Sequence, residues 1–139
     1  MYLLGRREYS RKELLNKLRK KFQELELEQI EAILSDMEKR GWQSDRRFAE
    51  SFFRSRVCQL KGPKIIRYEL AQKGVDAAII DSVFEQESVE WIDLIEQLIR
   101  RKIQIEQLED FHSRGKLFQF LVRKGFTPNQ IDKSIQKLR

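Results

Sequence analysis

Two short stretches decide how this chain folds: Leu70-Ala71-Gln72-Lys73-Gly74-Val75 and Leu121-Val122-Arg123-Lys124-Gly125-Phe126. They lie 51 residues apart and follow one pattern, a leucine five residues before an apolar residue, with Lys-Gly between them. Glycine enters the left-handed conformation cheaply, so Lys-Gly reads as the end of a helix. Six residues after each glycine stands an Ile-Asp pair, Ile80-Asp81 and Ile131-Asp132. An apolar residue follows four positions beyond each isoleucine, Phe84 and Ile135. Each copy is therefore a middle helix, a tight turn and a closing helix. A looser copy comes earlier: Leu14 and Leu18 align with Ile66 and Leu70, Lys21-Phe22 replaces Lys-Gly, and Ile30-Glu31 replaces Ile-Asp.

Upstream of each pair, apolar doublets run into cations. Leu3-Leu4 precedes Arg6-Arg7, Phe52-Phe53 precedes Arg54 and Arg56, and Leu98-Ile99 precedes Arg100-Arg101-Lys102. The unit is thus a longer helix, a middle helix and a closing helix, three times over. The predicted repeats are 1–42, 43–87 and 88–139, the first long helix being cut short at Met1, which is compatible with a further amino-terminal segment. Modules of roughly 45 residues bury too little surface to stand alone, so neighbours must share their cores. The expected fold class is all-α: tandem three-helix repeats stacked into a short curved array.

Local signals agree. Apolar residues recur at helical spacing, as in Ile30, Ile33, Leu34 and Met37, and strict alternation is missing. Ser10-Arg11-Lys12-Glu13 and Thr127-Pro128-Asn129-Gln130 read as capping boxes. Pro63 and Pro128 both open helices, where the missing N–H is harmless, and Gly41, Gly74 and Gly125 end them. Eight or nine helices are expected. Trp42, Trp91 and most phenylalanines are assigned to the core. Phe52 and Phe53 cannot face the same way, nor can Phe118 and Phe120, so one of each pair is expected to reach a partner.

Composition removes most enzyme classes. The 139 residues include one cysteine, Cys58, and one histidine, His112. A structural zinc site and an internal disulfide are thereby excluded, and a reducing cytoplasm is the expected home. Cys58 sits in a helical pattern and reads as a small semi-buried residue. The six glycines are scattered, with no loop to cradle a phosphate. No apolar run reaches the ~18 residues of a membrane span, and the amino terminus lacks a signal-peptide stretch. No catalytic residue, cofactor or metal is expected, and no membrane association.

Charge carries the functional hint. There are 28 Lys and Arg against 22 Asp and Glu, a net charge of +6. The charge comes in blocks: residues 76–99 hold seven acidic and no basic side chains, whereas residues 41–75 hold eight basic and three acidic. Acidic blocks fall on closing helices, basic blocks on long-helix ends and middle helices. Cations near helix C-termini are favoured by the helix dipole alone. Their threefold recurrence points further, to a basic face for a polyanionic or acidic-grooved partner.

The stretch Gly41-Trp42-Gln43-Ser44-Asp45-Arg46-Arg47-Phe48-Ala49 resembles the G-aromatic-x-x-D-x-R-F-A signature of the bacterial RecX regulatory family. Gly62-Pro63-Lys64-Ile65-Ile66-Arg67-Tyr68-Glu69-Leu70-Ala71-Gln72-Lys73-Gly74-Val75 is similar to its G-P-x-x-I-x-x-E-L-x-x-K-G-I segment. Arg7-Glu8-Tyr9-Ser10 and Phe120-Leu121-Val122-Arg123-Lys124-Gly125-Phe126 resemble the family's ends. Two departures stand at turns. The family has G-Y-G-P where this chain has Leu60-Lys61-Gly62-Pro63, and the first repeat lacks its turn glycine.

The resemblance implies a non-enzymatic regulator of the RecA recombinase in homologous recombination, DNA repair and the SOS response. Such a protein binds RecA filaments on single-stranded DNA along the groove, lowers ATP hydrolysis and strand exchange, and limits filament growth. Of the residues matching the motifs, Asp45 can cap a helix, Gly62-Pro63 sets a turn and Phe48 packs. The partner-binding residues expected from the charge pattern are Arg54, Arg56, Lys61, Lys64 and Arg67 in the middle of the chain. Arg100, Arg101, Lys102, Arg123 and Lys124 complete the set. A monomer with weak direct DNA binding is expected. The competing reading is a direct nucleic-acid-binding helical module acting through phosphate contacts. Against it, two of the three closing helices are acidic and would repel phosphate.

Overall fold

The structure is a computed structural model and describes residues 7–139. The expected helix at Leu3-Leu4 lies outside the described residues. Among those described there are eight α-helices and no strand: α1 (Arg11–Lys21), α2 (Leu27–Lys39), α3 (Asp45–Cys58), α4 (Pro63–Gln72), α5 (Ala77–Glu87), α6 (Trp91–Lys102), α7 (Phe111–Arg123) and α8 (Pro128–Leu138). A 3-10 turn, Ile105–Glu109, precedes α7. The all-α class and the tandem three-helix order are as read from the sequence.

Helix starts follow the predicted chemistry. Ser10 accepts from the Glu13 N–H while the Glu13 carboxylate accepts from the Ser10 N–H, and Thr127 with Gln130 repeats the arrangement at α8. Four helix ends share one device, a residue in the left-handed region with two backbone bonds closing the last turn. At Gly41 (φ 73°) the Trp42 N–H reaches the Met37 carbonyl at 2.9 Å. At Gly74 (φ 84°) the Val75 N–H reaches Leu70, and at Gly125 (φ 102°) the Phe126 N–H reaches Leu121. The fourth instance is Leu60 (φ 59°), with the Lys61 N–H on the Arg56 carbonyl at 3.0 Å. A leucine there costs about 1–2 kcal/mol relative to glycine. Leu60 recovers part of that by packing its side chain against a hydrophobic core. Leu60 thus closes the end of α3 with the same pair of backbone bonds as the glycine turns.

Two compact units are distinguished. The first comprises the residues up to Arg54 with Glu69–Gln86. One of its cores gathers Tyr9, Leu14, Ile30, Leu34 and Met37 between α1 and α2, and Phe53 meets Phe84 edge to face at 4.8 Å between ring centres. The second comprises Ser55–Tyr68 with Glu87–Arg139. Its core is built by Ile95, Leu98 and Ile99 of α6, Leu117 and Leu121 of α7, and Ile131 and Ile135 of α8, with Leu108 and Phe126. Burying one such side chain is worth about 1.5–3 kcal/mol.

Three burial expectations need correction, two of them core assignments. Trp42 is 45% exposed, its ring covered on one side by the Arg40 guanidinium at 5.2 Å. Phe111 is 83% exposed at the start of α7. Cys58 is exposed rather than semi-buried. Trp42 stands in the turn between α2 and α3, and Phe111 and Cys58 stand at helix ends, where helical spacing says least about what covers a side chain. Of the adjacent phenylalanines, Phe53 is buried and Phe52 half-buried, whereas Phe118 and Phe120 are both half-buried.

Candidate partner-binding face

Asp45 shows how the motif residues work. It does cap a helix, but not its own. Ser44 accepts from the Arg47 N–H at the start of α3, while the Asp45 carboxylate accepts from the Arg11 N–H at 2.8 Å. Arg11 is the first residue of α1, so Asp45 satisfies one of that helix's orphan donors. Buried Gln43 holds the carboxylate in place, donating to it at 2.9 Å and to the Tyr9 carbonyl at 3.2 Å. The signature aspartate is therefore a tie between the start of α1 and the start of α3.

In the second unit two turns dock and bring four of the expected cations together. The Gly62 N–H donates to the Lys124 carbonyl at 2.6 Å, and the Lys64 N–H donates to the Gly125 carbonyl at 3.0 Å. The approach is so close that a Cβ on Gly62 would lie 2.6 Å from the Phe126 nitrogen and overlap the Gly125 carbonyl. Gly62 is required by contact, therefore, and not by its own backbone angle. This main-chain clasp sets Lys61 and Lys64 beside Arg123 and Lys124. Lys64 and Arg123 are exposed; Lys61 and Lys124 are half-buried. None of the four forms an ion pair among the described residues, so their charge is uncompensated. Both α3 and α7 end here, and the negative ends of their dipoles offset part of the repulsion.

The other expected residues are placed as follows. Arg56 belongs to the same turn through its carbonyl, which accepts from the Lys61 N–H, and its guanidinium donates to Gln59 at 3.3 Å. Arg67 is exposed on α4 and, like Arg54 and Arg56, already has an intramolecular contact. Arg54 lies in the first unit. Arg100, Arg101 and Lys102 form a second group at the end of α6, all exposed, around a shallow hollow completed by Gln104 and Gln107. Lys102 holds its ammonium 4.5 Å from the centre of the Phe120 ring. One exposed aromatic residue near these cations was not singled out from the sequence. Tyr68, 66% exposed, stands four residues after Lys64 on α4 and thus on the same side of the helix. The i, i+4 spacing was the signal available.

The equivalent turn of the first unit is chemically different. Lys73, which corresponds to Lys124, pairs with Glu13 at 3.2 Å, and Arg7 pairs with the same carboxylate at 2.9 Å. Burial alone would push the Glu13 carboxyl up. Hydrogen bonds from the Ser10 N–H, Arg7 and Lys73, with the charge of Arg7, outweigh it and hold the group below the usual carboxylate range. Among the described residues no cluster of His, Cys, Asp and Glu could hold a metal ion, and no helix is long and apolar enough to cross a membrane.

Comparison with known proteins fits this architecture. Residues 44–83 match the second three-helix domain of RecX, and residues 89–135 match its third. The chain is 39% identical over 131 residues to the regulatory protein RecX of Haemophilus influenzae (strain PittEE), covering 92% of this chain and 84% of that one. It is 34% identical over 137 residues to the regulatory protein RecX of Legionella pneumophila (strain Corby), covering 99% and 90%. The crystal structure of RecX from Lactobacillus salivarius superposes with a TM-score of 0.82 at 26% identity, over 99% of this chain and 90% of that one. A repeat built from three helices, ending in the same turns and matching these relatives along nearly its whole length, leaves one assignment: the chain belongs to the RecX family of regulatory proteins.

Proposed function

We propose that this protein regulates the RecA recombinase, mainly as an inhibitor. It binds RecA filaments on single-stranded DNA along their groove, lowers ATP hydrolysis and strand exchange, and limits filament growth. It acts in the cytoplasm as a monomer, without cofactor or catalysis of its own, and each of the three repeats 1–42, 43–87 and 88–139 serves as one module. The observation that supports this best is the cluster Lys61, Lys64, Arg123 and Lys124, held by a main-chain clasp with no carboxylate paired to it among the described residues. A polyanionic filament is the partner such a face suits.

The test is ATP turnover by RecA filaments on single-stranded DNA, which falls as the protein is added. Reversing the charge of Lys64 and Arg123 together should abolish that inhibition at concentrations where the parent protein is saturating. Both side chains are exposed, so stability should change by only about 0.5 kcal/mol for each and the helical circular dichroism should be retained. Arg54, Arg56 and Arg67 are poorer choices, because each has a contact within the chain whose loss would confound the result. A doubly reversed protein that inhibits as well as the parent shows that another face binds.

A further inference from the structure

We infer that the face formed by the docked turns and α4 contacts the single-stranded nucleic acid of the filament directly, and that Tyr68 supplies a platform on which a base stacks. The inference rests on the filament reading above and assigns a ligand to this part of the surface. Among the described residues three large aromatic side chains are prominently exposed: Trp42, Tyr68 and Phe111. Arg40 covers Trp42 at 5.2 Å, and Arg114 lies 6.0 Å from the Phe111 ring centre. Among the described residues no cation or ring occupies either face of Tyr68. The open ring is also the one beside uncompensated cations. Lys64 is one helical turn away, about 6 Å along the axis. Lys61, Arg123 and Lys124 follow at the clasp. Glu69, the neighbouring carboxylate, is half-buried and has a contact of its own.

Charge decides between ligands at this face. A protein surface would have to present four carboxylates to four cations and something apolar to the ring. A single strand offers both from one repeating unit, a phosphate for each cation and a flat base for the aromatic side chain. The phenol hydroxyl is not needed for stacking, so the ring alone should carry the effect. Lys64 contributes through phosphate and through salt dependence, and Tyr68 contributes independently of salt.

The experiment measures binding of the full chain to oligothymidylate by fluorescence anisotropy across a salt series, for the parent, Tyr68→Ala, Tyr68→Phe and Lys64→Ala. Tyr68→Ala should weaken binding roughly 5- to 150-fold with an unchanged salt slope. Tyr68→Phe should bind as the parent does. Lys64→Ala should reduce the slope by about 0.7. A 5-bromouracil strand should photo-crosslink to Tyr68, which keeps the test decisive if affinity is low. Parent-like binding by Tyr68→Ala, equal losses for Ala and Phe, or crosslinks elsewhere only, would each overturn the inference. If the protein inhibits RecA filaments while these variants bind the strand normally, the stacking assignment falls and the filament reading stands. If the variants behave as stated but filament ATP turnover is unaffected, the regulatory reading falls and the nucleic-acid contact stands.

Discussion

The chain makes the same junction twice from different materials. In the first unit the start of α1 meets the Lys73-Gly74 turn; in the second the start of α4 meets the Lys124-Gly125 turn. Ser10, Lys12 and Glu13 correspond to Gly62, Lys64 and Ile65, 52 residues on. The first junction is joined by side chains. Lys73 pairs with Glu13, and the Lys12 ammonium donates to the Gln72 carbonyl at 3.1 Å. The second is joined by main chain, with two N–H groups on two carbonyls. Where side chains make the joint, the lysines are consumed by it. Where the backbone makes it, glycine is consumed and the lysines are left with their charge. The repeat has thus kept one geometry and left one copy's cations out of the joint.

Breaking the main-chain joint should have the largest effect. Gly62→Ala forces a methyl group into the Gly125 carbonyl, separating the turns and losing both backbone bonds. About 3 kcal/mol is expected from overpacking and lost hydrogen bonds together. The equivalent change in the first unit, Ser10→Ala, removes a helix cap and should cost only about 1 kcal/mol. Urea melts of the two variants give the ratio directly, and equal losses would mean that the two joints bear the same stress.

The turn glycines sharpen the contrast at a smaller scale. Alanine at Gly74 or Gly125 pays about 1–2 kcal/mol for the left-handed backbone. At Gly74 the added methyl meets side-chain atoms of Lys12 alone: the outer ones can rotate away, but the Cβ at 2.8 Å is fixed to α1 and is relieved only by a small backbone shift. At Gly125 it meets Ile65, including its main-chain nitrogen at 3.0 Å. Gly125→Ala should therefore melt below Gly74→Ala, and the reverse order would place the tighter joint in the first unit.

Acid gives the smallest and most selective perturbation. The Glu13 carboxyl is held below its ordinary value by its partners. The stability it contributes is therefore fully present above the usual carboxylate value of about 4.3, and is lost as pH falls through its lower value in the folded chain. Lys73 is partly exposed, so less than about 1 kcal/mol is at stake. The Ser10 amide resonance should titrate with Glu13 in an NMR pH series while that of Gly62, bonded to a carbonyl, stays flat. A Gly62 resonance moving in step would show that the second joint also leans on a carboxylate.

Much of this was legible in the residues. Capping boxes are local chemistry, and both that the sequence announces, at Ser10 and Thr127, are formed. Turn glycines are equally local, and Gly41, Gly74 and Gly125 all have positive φ. Leu60 escaped because a leucine carries no signal for the left-handed region, and the adjacent Gly62-Pro63 drew the reading two residues along. The clasp escaped because it joins residues 62 and 125, distant in sequence, through backbone atoms that have no side-chain signature. Only the coincidence of two offsets, 52 between helix starts and 51 between turns, hinted that each helix start meets the turn of the following repeat. The placement of Asp45 illustrates the same limit: its role as a cap could be read, but not which helix it serves.

The exposed Cys58 has a practical consequence. It is the only thiol in the chain and lies at the end of α3, two residues before the Leu60 turn. A maleimide dye would attach at one position, close in sequence to Lys61, and report partner engagement through a change in brightness without any engineered substitution. The same thiol can join two molecules in an oxidising buffer. Sedimentation of this protein should be done with reductant present, or a covalent pair will masquerade as an assembly.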